Sequence, residues 1–342
     1  MMSGMNWSLE VNKKLEVIVV YSLHREGELI DLDISETIRD LQIEPTSIEK
    51  LAEWRISKHK NIIYRHDVFW EEIKKGFFQP LYLLQRLHAS QIHFMSAKNW
   101  GIRAAVSMQD EHQATGTLTY YTLENFKQIE FVRFSKNRRK NIRKCFREVE
   151  IKEIRDEKIL FEQGYDIVKS SLERTRHRKH IPEKKEYQKG CASYINPGDN
   201  SRMVLGGFRD HQLLGFLELY AVRDTINLVN LLVSTEALKY CVSPGLYFTA
   251  YLLGKQTDSI KQFFAGLSNP LDKELCVFKE SMGQTLKSIP IICKMAFPTG
   301  LLMRVASPYY YHRLRGEEPD GDTHLVAGVS SSIPMEEETS TE

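Results

Sequence analysis

The chain has 342 residues, of which 42% are hydrophobic, 27% charged and 10% aromatic, a globular composition with enough apolar material for two domains or one elaborated domain. No apolar run approaches the roughly 18 residues of a membrane span. The five scattered cysteines, Cys145, Cys191, Cys241, Cys276 and Cys293, exclude a disulfide framework and a Cys-x-x-Cys metal site, so no metal is expected. Net charge is +2, yet eight of the 45 acids follow Arg315 and none of the 47 Lys and Arg residues do, so residues 1–315 carry +10. Such a core suits an anionic ligand: a nucleotide cofactor, a nucleic acid or a phospholipid surface. Free thiols and an N-terminus without signal-peptide character place the chain in the cytoplasm.

In chain order, residues 36–60 read as a helix with Ile38, Leu41, Ile48, Leu51 and Trp54 inward. Residues 67–93 read as a second helical region, broken at Gly76 and Pro80. Its Phe69, Trp70, Phe77, Phe78, Leu83, Leu84 and Leu87 belong to a core rather than a ligand site. Residues 101–134 read as strands and turns, with β-formers concentrated at 117–121.

Residues 133–147 carry eight basic side chains and no acid. Ser135 is placed to cap a helix, and Ile142, Cys145, Phe146 and Val149 give its apolar seam. Arg138, Arg139 and Lys140 fall near the first turn, where the helix dipole is already positive. Cations are explained there if an anion docks. A solvated basic face is the alternative. A further helix runs over 157–176 into the basic segment 174–180, which Pro182 ends. A turn follows at 197–200.

From 201 onward the pattern is clearest. Strands at 203–208, 213–222 and 226–234 form an antiparallel meander. Ser243, Pro244 and Gly245 open a helix to about 255. A buried strand at 262–266, a helix at 272–282 stopped by Gly283 and a strand at 289–295 interrupted by Pro290 complete the pattern. Beyond about 311 the chain becomes polar and acidic, and disorder is expected.

Four stretches resemble a known family. Ser135-Lys-Asn-Arg-Arg-Lys-Asn-Ile-Arg-Lys144 resembles the basic helix of FemAB-like proteins. Gly206-Gly207-Phe208 through Gly215-Phe216 looks like the central hairpin of their second GNAT unit. Ser243-Pro-Gly-Leu-Tyr247 looks like the loop into the acyl-donor helix. Leu275-Cys-Val-Phe-Lys-Glu-Ser-Met-Gly283 resembles the Phe-Lys-x-x-x-Gly motif. The resemblance covers about residues 133–296. It implies an α+β, GNAT-like (acyl-CoA N-acyltransferase) fold: a mixed, mostly antiparallel sheet flanked by helices, with a divergent or incomplete first unit. The implied organisation is an extension at 1–49, a first unit at 50–134, a basic connecting helix at 135–156, the acyltransferase unit at 157–312 and an acidic tail at 313–342. The implied activity is N-acyl transfer from acyl-CoA or aminoacyl-tRNA to an unknown amine acceptor, with no tightly bound cofactor. The usual phosphate loop of the superfamily is missing, since 239–245 reads Lys-Tyr-Cys-Val-Ser-Pro-Gly. The alternative is a catalytically silent module of the same fold that binds RNA or an acidic partner through its basic segments.

Acyl transfer needs a grip on the donor, stabilisation of an oxyanion and removal of a proton from the amine. Glu218, alone in an apolar strand, is the candidate base if it faces inward and a plain solvated carboxylate if it does not. Tyr247 is the candidate proton donor to the leaving group, or a core side chain. Lys279 is the candidate oxyanion or phosphate partner, or an exposed helix lysine. The donor site is expected along Asn230, Leu232 and Ser234 for its amide arm, and at Ser243, Gly245 and Leu246 for its phosphates. Arg138, Arg139 and Arg143 are the candidate anion-binding set.

Overall fold

The computed structural model describes residues 38, 40–94, 96, 98–124, 131–175, 181–195, 199–270 and 272–317. Helix α1 (Ile48–Ser57) precedes strands β1 (Ile62–Arg65), β2 (Val68–Lys74), β3 (Phe77–Pro80), β4 (Arg86–Leu87), β5 (Gly101–Val106) and β6 (Gly116–Glu124). Then come α2 (Lys136–Glu148), β7 (Glu150–Glu153), α3 (Tyr165–Arg174) and α4 (Lys184–Gly190). The meander β8 (Arg202–Arg209), β9 (Gln212–Val222) and β10 (Thr225–Val233) follows. The chain continues as α5 (Val242–Gln256), β11 (Gln262–Leu267), α6 (Lys273–Ser281), β12 (Thr285–Met295), α7 (Phe297–Ala306) and α8 (Pro308–Arg315).

All twelve strands form one sheet, ordered β1-β2-β3-β5-β12-β6-β11-β10-β9-β8-β7, with β4 also beside β5. Pairing is antiparallel except at two places, β10 with β11 and β5 with both β3 and β4. Strand β6 lies between β11 and β12. The sheet therefore runs unbroken across the unit boundary expected at 134.

The second half follows the sequence reading closely. Ser135 caps α2, its hydroxyl accepting the Arg138 N–H at 3.2 Å. Ile142, Cys145 and Val149 are buried and Phe146 packs beside them. Gly283 adopts φ +79° just past α6. The helix expected over 157–176 forms as a single turn, a π-turn over Leu160–Gly164 and then α3. Residues 176–180 of the basic segment 174–180, and 197 and 198 of the 197–200 turn, lie outside the described residues.

The first half departs from it. Residues 67–93 are strands rather than a helical region. His66 and Asp67 both take left-handed φ (53° and 60°) and turn β1 into β2, and Gly76 at φ +79° turns β2 into β3. Aromatic side chains suit a pleated surface, and Trp70, Phe77 and Phe78 are buried there. Within 36–60, Ile38 is helical, residues 40–47 are not, and the helix resumes at Ile48. Pro45 disfavours a helical residue before it, and Thr46 instead bridges to Val222. Strand β12 begins earlier than expected, at Thr285, and runs straight through Pro290. The ladder with β5 starts only at Ile291, so an N–H at 290 is not needed on that side.

The carboxyl end is more ordered than expected. Helices α7 and α8 carry it to Arg315. The Thr117 N–H then donates to the Gly316 carbonyl at 2.8 Å, and His312 Nδ1 meets the Glu317 carboxylate at 2.8 Å. Residues 318–342, where the acidic tail was expected to be disordered, lie outside the described residues.

Two layers cover the second half of the sheet. On one face α2 and α5 pack with Leu217, Leu219, Phe263 and Tyr247. On the other, α1 and α3 pack with Val204, Phe216 and Val222, joined by Cys191 and Tyr194 after α4. Gly245 lies directly under the Cys145 sulfur, where any Cβ would collide. Its missing side chain lets α5 approach α2.

Candidate active site

Strands β10 and β11 pair only at Thr225, Ile226 and Asn227, opposite Gln262, Phe263 and Phe264. Beyond that the two strands part. Strand β10 bulges between Leu228 and Asn230 but keeps its ladder with β9 to Val233. Residues 228–232 are only half-buried, in contrast with the buried start of the strand. A gap therefore opens in mid-sheet.

Glu218 stands beside this gap. It pairs across the ladder with Asn230, whose side-chain amide donates to its carboxylate at 2.6 Å. The residue is 6% exposed, which excludes the solvated reading. Burial pushes its carboxyl up to about 7, and the Asn230 amide restrains that rise. Along β9 side chains alternate between faces. Leu217 and Leu219 join the α2/α5 core, whereas Phe216 and Tyr220 join the α1/α3 core. Glu218 shares the second face, where Tyr187, Cys191 and Tyr194 are its electrostatic neighbours.

Lys279 and Tyr247 occupy the opposite face. Lys279 is 5% exposed, so it is not a solvated helix lysine. Its ammonium stands 5.1 Å from the Tyr121 ring centroid, and burial draws its pKa down to about 8. The Tyr121 hydroxyl donates to Glu280 at 3.0 Å. Tyr247 lies wholly in the core, edge-on to Tyr251 and Phe278. The Gln284 amide lies near its hydroxyl and donates to that of Tyr251 at 3.0 Å. Burial raises the pKa of the Tyr247 phenol, and the Gln284 amide opposes that rise. The structure thus brings Lys279 and Tyr247 into one layer through Phe278 and α6, and sets Glu218 across the sheet from them. Gln284 and Tyr121 were missed in the sequence. Only the position of Gln284, one residue beyond the helix-ending glycine, could have drawn notice.

The expected donor residues are divided. The Asn230 amide is committed to Glu218. Leu232 packs toward α3. Ser234 donates its N–H to the Leu214 carbonyl at 2.9 Å and its hydroxyl accepts the Ala237 N–H at 3.1 Å. Helix α5 starts at Val242, one residue before Ser243, after Cys241 in a left-handed conformation (φ 57°). Ser243 is half-buried and Leu246 fully buried. Pro244 has no N–H and the Gly245 N–H points to the Cys241 carbonyl at 3.4 Å. Of the three expected phosphate contacts, Ser243, Gly245 and Leu246, the Gly245 N–H is thus turned along the helix. Among the described residues no group of His, Cys, Asp and Glu could hold a metal.

The basic helix start has a structural explanation at Arg138. Its guanidinium lies 5.0 Å from the Phe278 ring centroid and hydrogen bonds the Ser281 hydroxyl. It therefore meets the carboxyl end of α6, where the helix dipole is negative. Arg143 stands 5.3 Å from the Phe131 ring centroid. Arg139 is half-buried on the same helix.

No protein-family model matches the sequence, and no curated protein matches it. Solved structures do. FemX is similar at 10% identity and a TM-score of 0.54, over 79% of this chain and 97% of FemX. The C-terminal domain of a putative lysylphosphatidylglycerol synthetase from Agrobacterium fabrum is similar at 9% identity and 0.49, over 76% and 96%. L-PGS from Bacillus licheniformis is similar at 13% and 0.46, over 81% and 99%. The FemX match shows a shared fold. The α+β, GNAT-like architecture expected from the FemAB-like motifs is the one observed.

Proposed function

We propose that the chain is an N-acyltransferase of FemAB-like type, moving an acyl or aminoacyl group from a coenzyme A thioester or aminoacyl-tRNA to an amine. The observation that carries this reading is the parting of β10 from β11 beside the buried Glu218–Asn230 pair. The donor's amide arm would enter that gap, where a molecule could meet both faces of the sheet. The amine nitrogen then attacks the donor carbonyl carbon. Its proton passes to Glu218, whose pKa of about 7 suits a base at neutral pH. Lys279 would stabilise the developing oxyanion as a desolvated cation. The bond to the sulfur or ribose oxygen then breaks, sulfur leaving as thiolate and the ribose oxygen taking up the proton that Glu218 removed from the amine. Tyr247 holds α6 in place from the core rather than protonating the leaving group. Arg138, Arg139 and Arg143 remain the proposed contacts for the donor's phosphates.

One observation favours the silent binding module. Glu218 and Lys279 face opposite sides of the sheet, so only a ligand seated in the gap can join them. The deciding experiment is native mass spectrometry and thermal shift with acetyl-CoA, longer acyl-CoAs and aminoacyl-tRNA. Product analysis over a panel of amines completes it. Binding of a donor, with turnover lost in Glu218→Gln, is the expected result. No donor bound and no product from any amine would reject the enzyme reading.

A further inference from the structure

Helix α7 turns an apolar face to water. Its exposed residues Phe297, Pro298, Leu301, Leu302 and Val305 recur at helical spacing and form one stripe. Phe297 is 82% exposed, Val305 78% and Leu302 67%. The inward side holds only the buried Gly300 and the half-buried Thr299 and Met303. Single exposed apolar residues need no explanation, but a contiguous stripe does.

The margin of this stripe is mainly cationic. Residues 294–316 contain Lys294, Arg304, Arg313 and Arg315 and no acid, and Glu317 just beyond them is taken up by Arg315 and His312. The Lys74 ammonium stands 4.7 Å from the Tyr310 ring centroid on α8. Just before α7, the Ala296 N–H donates to the Trp100 carbonyl at 2.8 Å, and the Trp100 indole donates to the Lys75 carbonyl at 2.6 Å. Exposed Lys75 and Lys98 therefore sit beside the start of the stripe. Glu72, on the same hairpin, is turned to the Gly76 N–H and the Asn61 amide.

We infer that α7 and α8 dock the protein on an anionic phospholipid surface. The stripe would enter the boundary between headgroups and acyl chains. Lys74, Lys75, Lys98, Arg304 and Arg313 would meet the phosphates, with Trp100 and Tyr310 at the level between. Bulky apolar residues on one side of a helix and Lys, Arg, Trp and Tyr at its margins are the pattern of helices that lie in a membrane interface. A second copy is the weaker occupant, because it would set this cationic margin against itself.

The test is co-sedimentation of the full chain with vesicles of phosphatidylglycerol and phosphatidylcholine, and of phosphatidylcholine alone. Binding to the mixed vesicles is expected, at least tenfold weaker on phosphatidylcholine alone or in high salt. The variant L301S/L302S/V305S should bind at least tenfold less, with an unchanged melting temperature because these side chains touch solvent. Phe297→Trp gives an independent readout: its emission should shift to the blue on adding mixed vesicles. Failure of the full chain to sediment overturns the inference, as does equal binding by the triple variant or no shift at position 297. Light scattering that shows a dimer abolished by the triple variant would assign the stripe to a second copy instead. Vesicle binding that appears only after deletion of residues 318–342 would assign it to the chain's own acidic end.

Discussion

The sheet contains two parallel junctions, and their fates differ. At β5, strand β3 pairs with Gly101 and Ile102, and β4 then pairs with Ala105 and Val106 along the same edge. Any gap left where β3 ends is thus occupied by a second short strand. The Phe77 ring covers the start of β5, lying where a Cβ at Gly101 would stand. At β10 the pairing with β11 also ends after a few residues, but no second strand follows it. Half-buried residues 228–232 line that opening, and a carboxylate is buried beside it. The same local topology therefore serves packing in one place and leaves room for chemistry in the other.

Four experiments break or sharpen this contrast. The largest effect is expected at the sealed junction. Gly101→Val should force Phe77 aside and cost about 3 kcal/mol, lowering the melting temperature of a chain this long by roughly 4 °C. Ligand binding by the protein that remains folded should be unchanged. A neutral result would mean that the sealed junction has slack.

Next comes the buried carboxylate at the open junction. Folding raises the Glu218 pKa from its ordinary 4.5 to about 7. Between those values the folded state binds more protons than the unfolded one, so stability falls as pH rises. At about 1.4 kcal/mol per pH step this amounts to roughly 3 kcal/mol. Glu218→Gln should remove that slope, read as the difference in denaturant midpoint between the two ends of this interval. An identical slope in the variant would show that Glu218 is not the titrating group.

Lys279→Ala should lower kcat by about 10²-fold with little change in KM, as expected for a group that acts in the transition state. Activity of the parent should fall as pH rises through about 8, where burial places the Lys279 pKa. A rise in KM alone would make the lysine a phosphate grip instead. The smallest effect is expected from Asn230→Ala. Loss of the amide that donates to Glu218 should move the acidic limb of kcat/KM up by about half a pH unit. A shift downward would contradict the hydrogen bond's role.

What the sequence disclosed varies with the physical cause. The meander and α5, α6 and β11 could be read because long apolar runs between clear turns have few alternatives. Glycines also sit where positive φ is required, as at Gly283. Residues 67–93 were misread because short strands with polar centres, such as Glu71-Glu72-Ile73-Lys74, match a helical period as well as a strand period. Glu218 could be singled out as the lone acid in an apolar strand. Its separation from Lys279 by the thickness of the sheet could not, because spacing along a chain does not say which side of a layer a residue from another element will cover. Arg138 shows the same limit. The charge pattern asked for an anion, and could not show that Arg138 also meets the carboxyl end of α6.

The position of β6 bears on how the chain is made. Both of its neighbours in the sheet, β11 and β12, lie more than 130 residues further on. At about 5–20 residues per second, that segment leaves the ribosome roughly 10–30 s before its partners exist. During that interval Leu118, Tyr120 and Tyr121 have no strand on either side. Nascent-chain folding should therefore be late and all at once, and a fragment ending near 134 should aggregate rather than fold.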